Sequence, residues 1–161
     1  MKISFLIIFF LRSFTAYSQN FILPQGEYMD TTNWVNPKCH SSYLLYYYQA
    51  NTKYPVATNT ILEETRRYLA KTNKKYTGNG YITLRFIVDC EDKIYSVKVL
   101  QVDENYKSTH FDKHLVSDLN DYLHTLDRWE KGLSAYHLKN VNYIAYMCFR
   151  IKNGEVDNVI Y

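Results

Sequence analysis

From Tyr81 to Cys90 the chain alternates with a period of two. Ile82, Leu84, Phe86, Val88 and Cys90 fall on one side and Tyr81, Thr83, Arg85, Ile87 and Asp89 on the other. Successive side chains of a strand point to opposite faces, so this run predicts a strand with one buried face. Glu91-Asp92-Lys93 reads as a turn. Ile94–Val102 reads as a second strand, with Tyr95, Val97 and Val99 alternating with Ser96 and Lys98, and the pair predicts an antiparallel hairpin. A third alternation sets Val141, Tyr143, Ala145, Met147, Phe149 and Ile151 against Asn142, Ile144, Tyr146, Cys148, Arg150 and Lys152. Asn153-Gly154 follows it, a pair suited to the two-residue type I′ turn because both central positions need positive φ. Glu155–Tyr161 is therefore expected to fold back as a fourth strand.

Two helices are expected between these strands. Thr60-Ile61-Leu62-Glu63 has the Ser/Thr-x-x-Glu form of a capping box, and the pattern predicts a helix running to about Lys74 with Ile61, Leu62, Thr65, Tyr68 and Leu69 inward. Thr77-Gly78-Asn79-Gly80 breaks it. Thr109 is positioned to cap a second helix whose Phe111, Leu115, Leu119, Tyr122, Leu126 and Trp129 form one apolar stripe. The order of elements predicts an α+β fold, an antiparallel three- to four-stranded sheet packed on helices. Tyr43-Leu44-Leu45-Tyr46-Tyr47-Tyr48 is readable either as a short helix or as an added strand.

Met1–Ser18 has the layout of a secretory signal peptide: Lys2, the apolar run Phe5–Leu11, then Ala16-Tyr17-Ser18 before Gln19. The apolar run is much shorter than the roughly 20 residues of a spanning helix, so no stable membrane span is expected after signal removal. The expected organisation is a signal at 1–18, a Tyr-rich N-terminal extension at 19–52 and one α+β domain at 53–161, in a periplasmic or extracellular setting. Losing Lys2 and Arg12 lowers the formal net charge from +3 to about +1, too weak a balance to favour nucleic acid. Cys39, Cys90 and Cys148 allow one disulfide in an oxidising compartment, with the connectivity left open.

Several stretches together resemble the C-terminal domain of TonB, the periplasmic energy transducer, and more closely short secreted proteins with a TonB-C-terminal-like module. They are Lys53-Tyr54-Pro55-Val56-Ala57, the strand Gly80–Asp89, the strand Ile94–Leu100, the helix opened by Phe111-Asp112 and closing on Trp129, and the strand Ile144–Ile151. The likeness covers about Lys53–Ile151. Glu91-Asp92-Lys93 stands where the family has Asp-Gly, and Thr58–Asn79 stands where it has a short link. With three prolines in all and no expected anchor, energy transduction by this chain alone is not expected. What the resemblance implies is a binding mode, in which the last strand pairs with an extended partner segment. Val141, Tyr143, Ala145, Met147, Phe149 and Ile151, on the strand Val141–Lys152, are then the candidate edge, which Glu155–Tyr161 would compete to cover.

The remaining chemistry is sparse. His110 and His114 have metal-ligand spacing with Asp118 one turn on, but no Glu stands in the His-Glu-x-x-His position, and a solvated helix face is the stronger reading. Cys39 and His40 are adjacent without being placed for nucleophilic catalysis. Paired acids such as Asp118 and Asp121 read as solvated. Tyr43, Tyr46, Tyr47 and Tyr48 are a candidate aromatic surface, but packing is the stronger reading. The leading expectation is an exported, non-enzymatic interaction module without cofactor or metal, binding an envelope or outer-membrane protein segment by strand addition. A TonB-like accessory of receptor transport is the first alternative. An exported enzyme or metal-binding protein is the alternative of another class.

Overall fold

The computed structural model describes residues 27–28, 36, 38–132 and 140–161. The expected signal at Met1–Ser18 lies outside them. The elements are β1 (Glu27–Tyr28), β2 (His40–Tyr46), α1 (Thr58–Ala70), β3 (Gly80–Val88), β4 (Ile94–Val102), α2 (Lys113–His124), β5 (Val141–Lys152) and β6 (Glu155–Ile160). The strands lie in the order β1-β4-β3-β5-β2, with β6 paired to β5 off that path. The fold is α+β with a mostly antiparallel sheet, as expected. β2 makes the sheet mixed, because it runs parallel to β5.

The period-two runs explain the core. Ile82, Leu84, Phe86 and Val88 of β3 share one face with Tyr143, Ala145, Met147, Phe149 and Ile151 of β5, and all are buried. The apolar stripes of both helices close on that face. Ile61, Thr65 and Leu69 of α1 are spaced four apart and buried, as are Leu115, Leu119, Tyr122 and Leu123 of α2. Trp129 completes the layer, its ring centroid 4.7 Å from Tyr54 and 5.1 Å from Phe86. Each fully buried large aliphatic or aromatic side chain here contributes roughly 1.5–3 kcal/mol.

Both helix starts differ from expectation. α1 begins at Thr58 behind Ala57, which makes no side-chain cap. The Thr60 amide already donates to the Ala57 carbonyl at 2.9 Å, so Thr60 lies inside the first turn and the expected capping box cannot form. α2 is capped by Asp112, whose carboxylate accepts from the His114 amide at 2.7 Å. Thr109 does not cap it, because the Thr109 and Phe111 amides are held by the backbone and side chain of Gln101 on β4. α1 ends at Ala70, short of the expected Lys74, and α2 ends at His124, before its apolar stripe does; Leu126 and Trp129 are buried beyond the helix.

The tight turns follow their residues. Asn153 and Gly154 take φ of 54° and 81°, as a type I′ turn requires. The β3–β4 turn is organised by Asp89, whose Oδ1 accepts from the Glu91 and Lys93 amides at 2.7 and 2.9 Å while Asp92 takes φ of 65°. Cys90 was expected on the apolar face of the strand. β3 ends at Val88, and Cys90 lies in this turn, disulfide-bonded to Cys39 with their Cα atoms 5.6 Å apart. Cys148 is the free thiol.

Candidate functional site

The candidate edge Val141–Lys152, which the sequence leaves either open or covered, is covered. β3 pairs with one flank of β5 from Tyr143 to Ile151. The other flank is shared: β2 pairs beside Val141–Ile144 and β6 beside Cys148–Lys152. β5 is therefore interior. Val141, Tyr143, Ala145, Met147, Phe149 and Ile151 are all buried, where no partner segment reaches them. The Asn-Gly turn is the physical cause on one half of the strand, since it returns the chain directly onto β5.

Where β2 and β6 end against each other, the sheet instead presents tyrosine. The run that left helix and strand open is the strand β2 followed by a turn over 47–50. The Tyr46 and Tyr48 rings stack with centroids 5.4 Å apart and planes 7° apart. Tyr47 stands edge-on to Tyr48 at 5.5 Å and to Tyr146 of β5 at 6.5 Å. Nothing is described of the Tyr43 side chain. Tyr46 lies opposite Ile144 and Ile160 opposite Cys148, so alternation places both on the sheet face turned away from the helices. Tyr48 is 64% exposed, Ile160 59%, Leu44 47% and Tyr47 38%, which makes this margin a stretch of accessible apolar and aromatic surface.

The backbone fixes these rings. The Tyr47 amide donates to the Ile144 carbonyl at 3.0 Å, continuing the ladder by one residue. The Tyr46 amide instead donates to Gln49 Oε1 at 2.9 Å, and the Gln49 and Ala50 amides return to the Tyr46 carbonyl. Beneath Tyr146 lies Arg85 of β3, its guanidinium carbon 5.7 Å from the ring centroid, a cation–π arrangement. Burial pushes the Tyr146 phenol above its usual pKa, and the Arg85 charge works against that shift. Arg85 is buried and lies in register with the equally buried Lys98 of β4. Sequence reading treats Arg85 only as an outward position, and the Tyr146 contact is invisible to it because the two residues lie on separate strands.

The candidates weighed as metal or catalytic groups lie as follows. Among the described residues no three His, Cys, Asp or Glu side chains converge as a metal site would. Asp118, read from sequence as solvated, is buried: its carboxylate accepts from Lys74 Nζ at 2.8 and 2.9 Å and from the Tyr76 hydroxyl at 2.5 Å. Cys39 is committed to Cys90 and offers His40 no thiol. Among the described residues, no helix is long and apolar enough to cross a membrane. A cleft of about 290 Å³ between α1 and the β5–β6 turn is lined by Arg66, Lys74, Tyr76 and Glu155 over Leu69 and Val156; its basic side chains are engaged, Arg66 Nε with the Val156 carbonyl and Lys74 with Asp118.

Fold and surface together define an α+β module with a helix-covered core face and a tyrosine-bearing margin on the other side. No protein-family description, characterised protein or solved structure is detectably similar to the chain.

Proposed function

We propose that this chain is an exported, non-enzymatic protein-interaction module of the TonB-C-terminal-like class. It holds a segment of an envelope or outer-membrane protein on the surface formed by Tyr46, Tyr47, Tyr48 and Tyr146. The observation that carries this reading is the contiguity of those four rings beside exposed Leu44 and Ile160. Tyrosine supplies a broad apolar face at low entropic cost and a hydroxyl for backbone groups of the partner. The signal-like Met1–Ser18 supports the export part of the reading.

Strand addition at β5 is no part of this proposal, because both flanks of β5 are occupied. The neighbouring strands are also guarded. Gln49 caps the Tyr46 amide and Arg66 caps the Val156 carbonyl of β6, side chains that blunt exposed ladder groups. A non-enzymatic role is supported by where the reactive-looking groups go: Asp89 organises a turn, Asp118 joins the helices, and Cys39 is in a disulfide.

The test is a binding titration of the signal-free protein against an array of peptides from envelope and outer-membrane proteins. A binding peptide is expected to lose at least tenfold in affinity with Tyr48→Ser, with the thermal melt unchanged. Either a set without binders or a binder indifferent to Tyr48→Ser and Tyr47→Ser overturns the proposal.

A further inference from the structure

The tyrosine surface is carried by a segment that is anchored at its two ends and paired to β5 over only a few residues in between. Downstream, Ala50 is fully buried and the Thr52 hydroxyl donates to the Glu130 carbonyl at 2.9 Å. Upstream, the fastenings converge on the β3–β4 turn. Cys39 is bonded to Cys90, the Asn36 amide group donates to Asp89 at 2.9 Å and Glu91 at 3.0 Å, and Lys38 pairs with Glu91 at 2.7 Å. Between these anchors β2 runs parallel to β5 with consecutive pairing only from Leu44 to Tyr46, after a register break that follows His40. Leu44 is exposed and Leu45 only partly buried, so these two residues bring little apolar area to the core.

We propose that residues 38–46 are a strap clasped by the Cys39–Cys90 disulfide, and that reduction of the clasp releases β2 from β5 and disperses the tyrosine surface while the rest of the sheet stays folded. Thiol–disulfide exchange with a dithiol is the balanced route. One thiolate of the dithiol attacks Cys90 Sγ, the Cys39–Cys90 bond breaks, and Cys39 leaves as a thiolate that takes up a proton. The second thiol of the reductant then closes its own disulfide and frees Cys90, so that two electrons and two protons pass from dithiol to protein. The Cys90 amide donates to Cys39 Sγ at 3.2 Å, which favours Cys39 as the leaving sulfur. The turn does not depend on the clasp, because Asp89 binds the Glu91 and Lys93 amides within it. That the strap governs partner capture rests on the function proposed above; the release itself does not.

Hydrogen exchange of the signal-free protein, read by mass spectrometry before and after treatment with dithiothreitol, tests the release without any partner. Amides over Leu44–Tyr47 are expected to exchange at least tenfold faster after reduction, while those around Leu84 and Met147 keep their rates. Unchanged protection over Leu44–Tyr47 overturns the proposal. So does loss of protection at Leu84 and Met147 together with Leu44–Tyr47, which would make the disulfide a support of the whole fold. The Cys39→Ser/Cys90→Ser protein is expected to match the reduced pattern without reductant, and oxidised-like protection over Leu44–Tyr47 in it also overturns the proposal. A peptide that binds equally to oxidised and reduced protein counts against strap control of capture and leaves the capture itself standing.

Discussion

The Tyr76 hydroxyl donates a 2.5 Å hydrogen bond to Asp118 Oδ2, tying the segment after α1 to the middle of α2. Lys74 closes on the same carboxylate, and Thr72 Oγ1 lies 2.9 Å from the Tyr76 oxygen. Burial opposes the charge on Asp118, but the Lys74 and Tyr76 hydrogen bonds outweigh it and hold the carboxyl below its usual pKa.

Acid should therefore weaken the joint between the helices. A carboxyl whose folded pKa is depressed adds stability that is complete above its unfolded value, near 4, and is lost as pH falls through the folded one. Denaturant melts from pH 6 down to pH 2 are expected to show this decline in the native protein and a flatter profile in Asp118→Asn. Tyr76→Phe removes one charge-assisted bond and should cost about 1–2 kcal/mol at neutral pH.

Alkali acts through different groups. Burial pushes Tyr143 and Tyr95 up to about 12, and both phenols are buried in the folded chain. With the folded pKa raised, the stability they contribute is complete below the unfolded value near 10 and is lost as pH rises from there through about 12. Ultraviolet titration of the folded protein should show tyrosine steps delayed to about pH 12, and urea should bring them down toward 10. Tyr143→Phe is expected to remove one late step and the 2.8 Å hydrogen bond to the Glu130 carbonyl.

Asp89 is fully buried and accepts from two turn amides and from Asn36. Asp89→Ala strands those donors and should destabilise by roughly 2–4 kcal/mol, a fall in Tm of about 2–4 °C for each kcal/mol. Calorimetry checks the size. Loss of protection at the Glu91 and Lys93 amides checks the cause.

At Gly154 a Cβ would stand 2.0 Å from the Tyr76 carbonyl oxygen, at a φ of 81° that L side chains rarely adopt. The same turn donates its Gly154 amide to the Gly78 carbonyl at 2.9 Å. Gly154→Ala should cost at least about 2 kcal/mol and shift the β5–β6 pairing. A cross-strand amide contact between Arg150 and Asn158, seen by NMR in the native chain, is expected to weaken in the variant.

What was legible in the sequence was local. The alternation of β3 and β5 and the Asn153-Gly154 turn are written within a few residues, and the period of two leaves one answer. The starts of α1 and α2 misled because the amides there are taken by other acceptors, that of Thr60 by the Ala57 carbonyl and those of Thr109 and Phe111 by the carbonyl and side-chain oxygens of Gln101. The role of Asp118 was hidden because its partner Lys74 is distant in sequence, and so was the contact of Asp89 with Asn36. Tyr46–Tyr48 could be singled out by type, yet the ring that completes the surface, Tyr146, belongs to a strand read from sequence as an edge. That edge is covered by β6, as the Asn153-Gly154 turn implies, and by β2, whose parallel pairing carries no local signature.

The placing of β2 also sets an order of events. Leu44 lies beside Asn142, about a hundred residues further along the chain, so β2 has no neighbour to pair with until β5 has been made. Closing a loop of that length is slow compared with forming the β3–β4 or β5–β6 hairpins. Cys39 and Cys90 are 51 residues apart and can meet sooner. A bond formed early between them would hold the tyrosine-rich segment near its destination and shorten the interval in which it is free to pair with another chain.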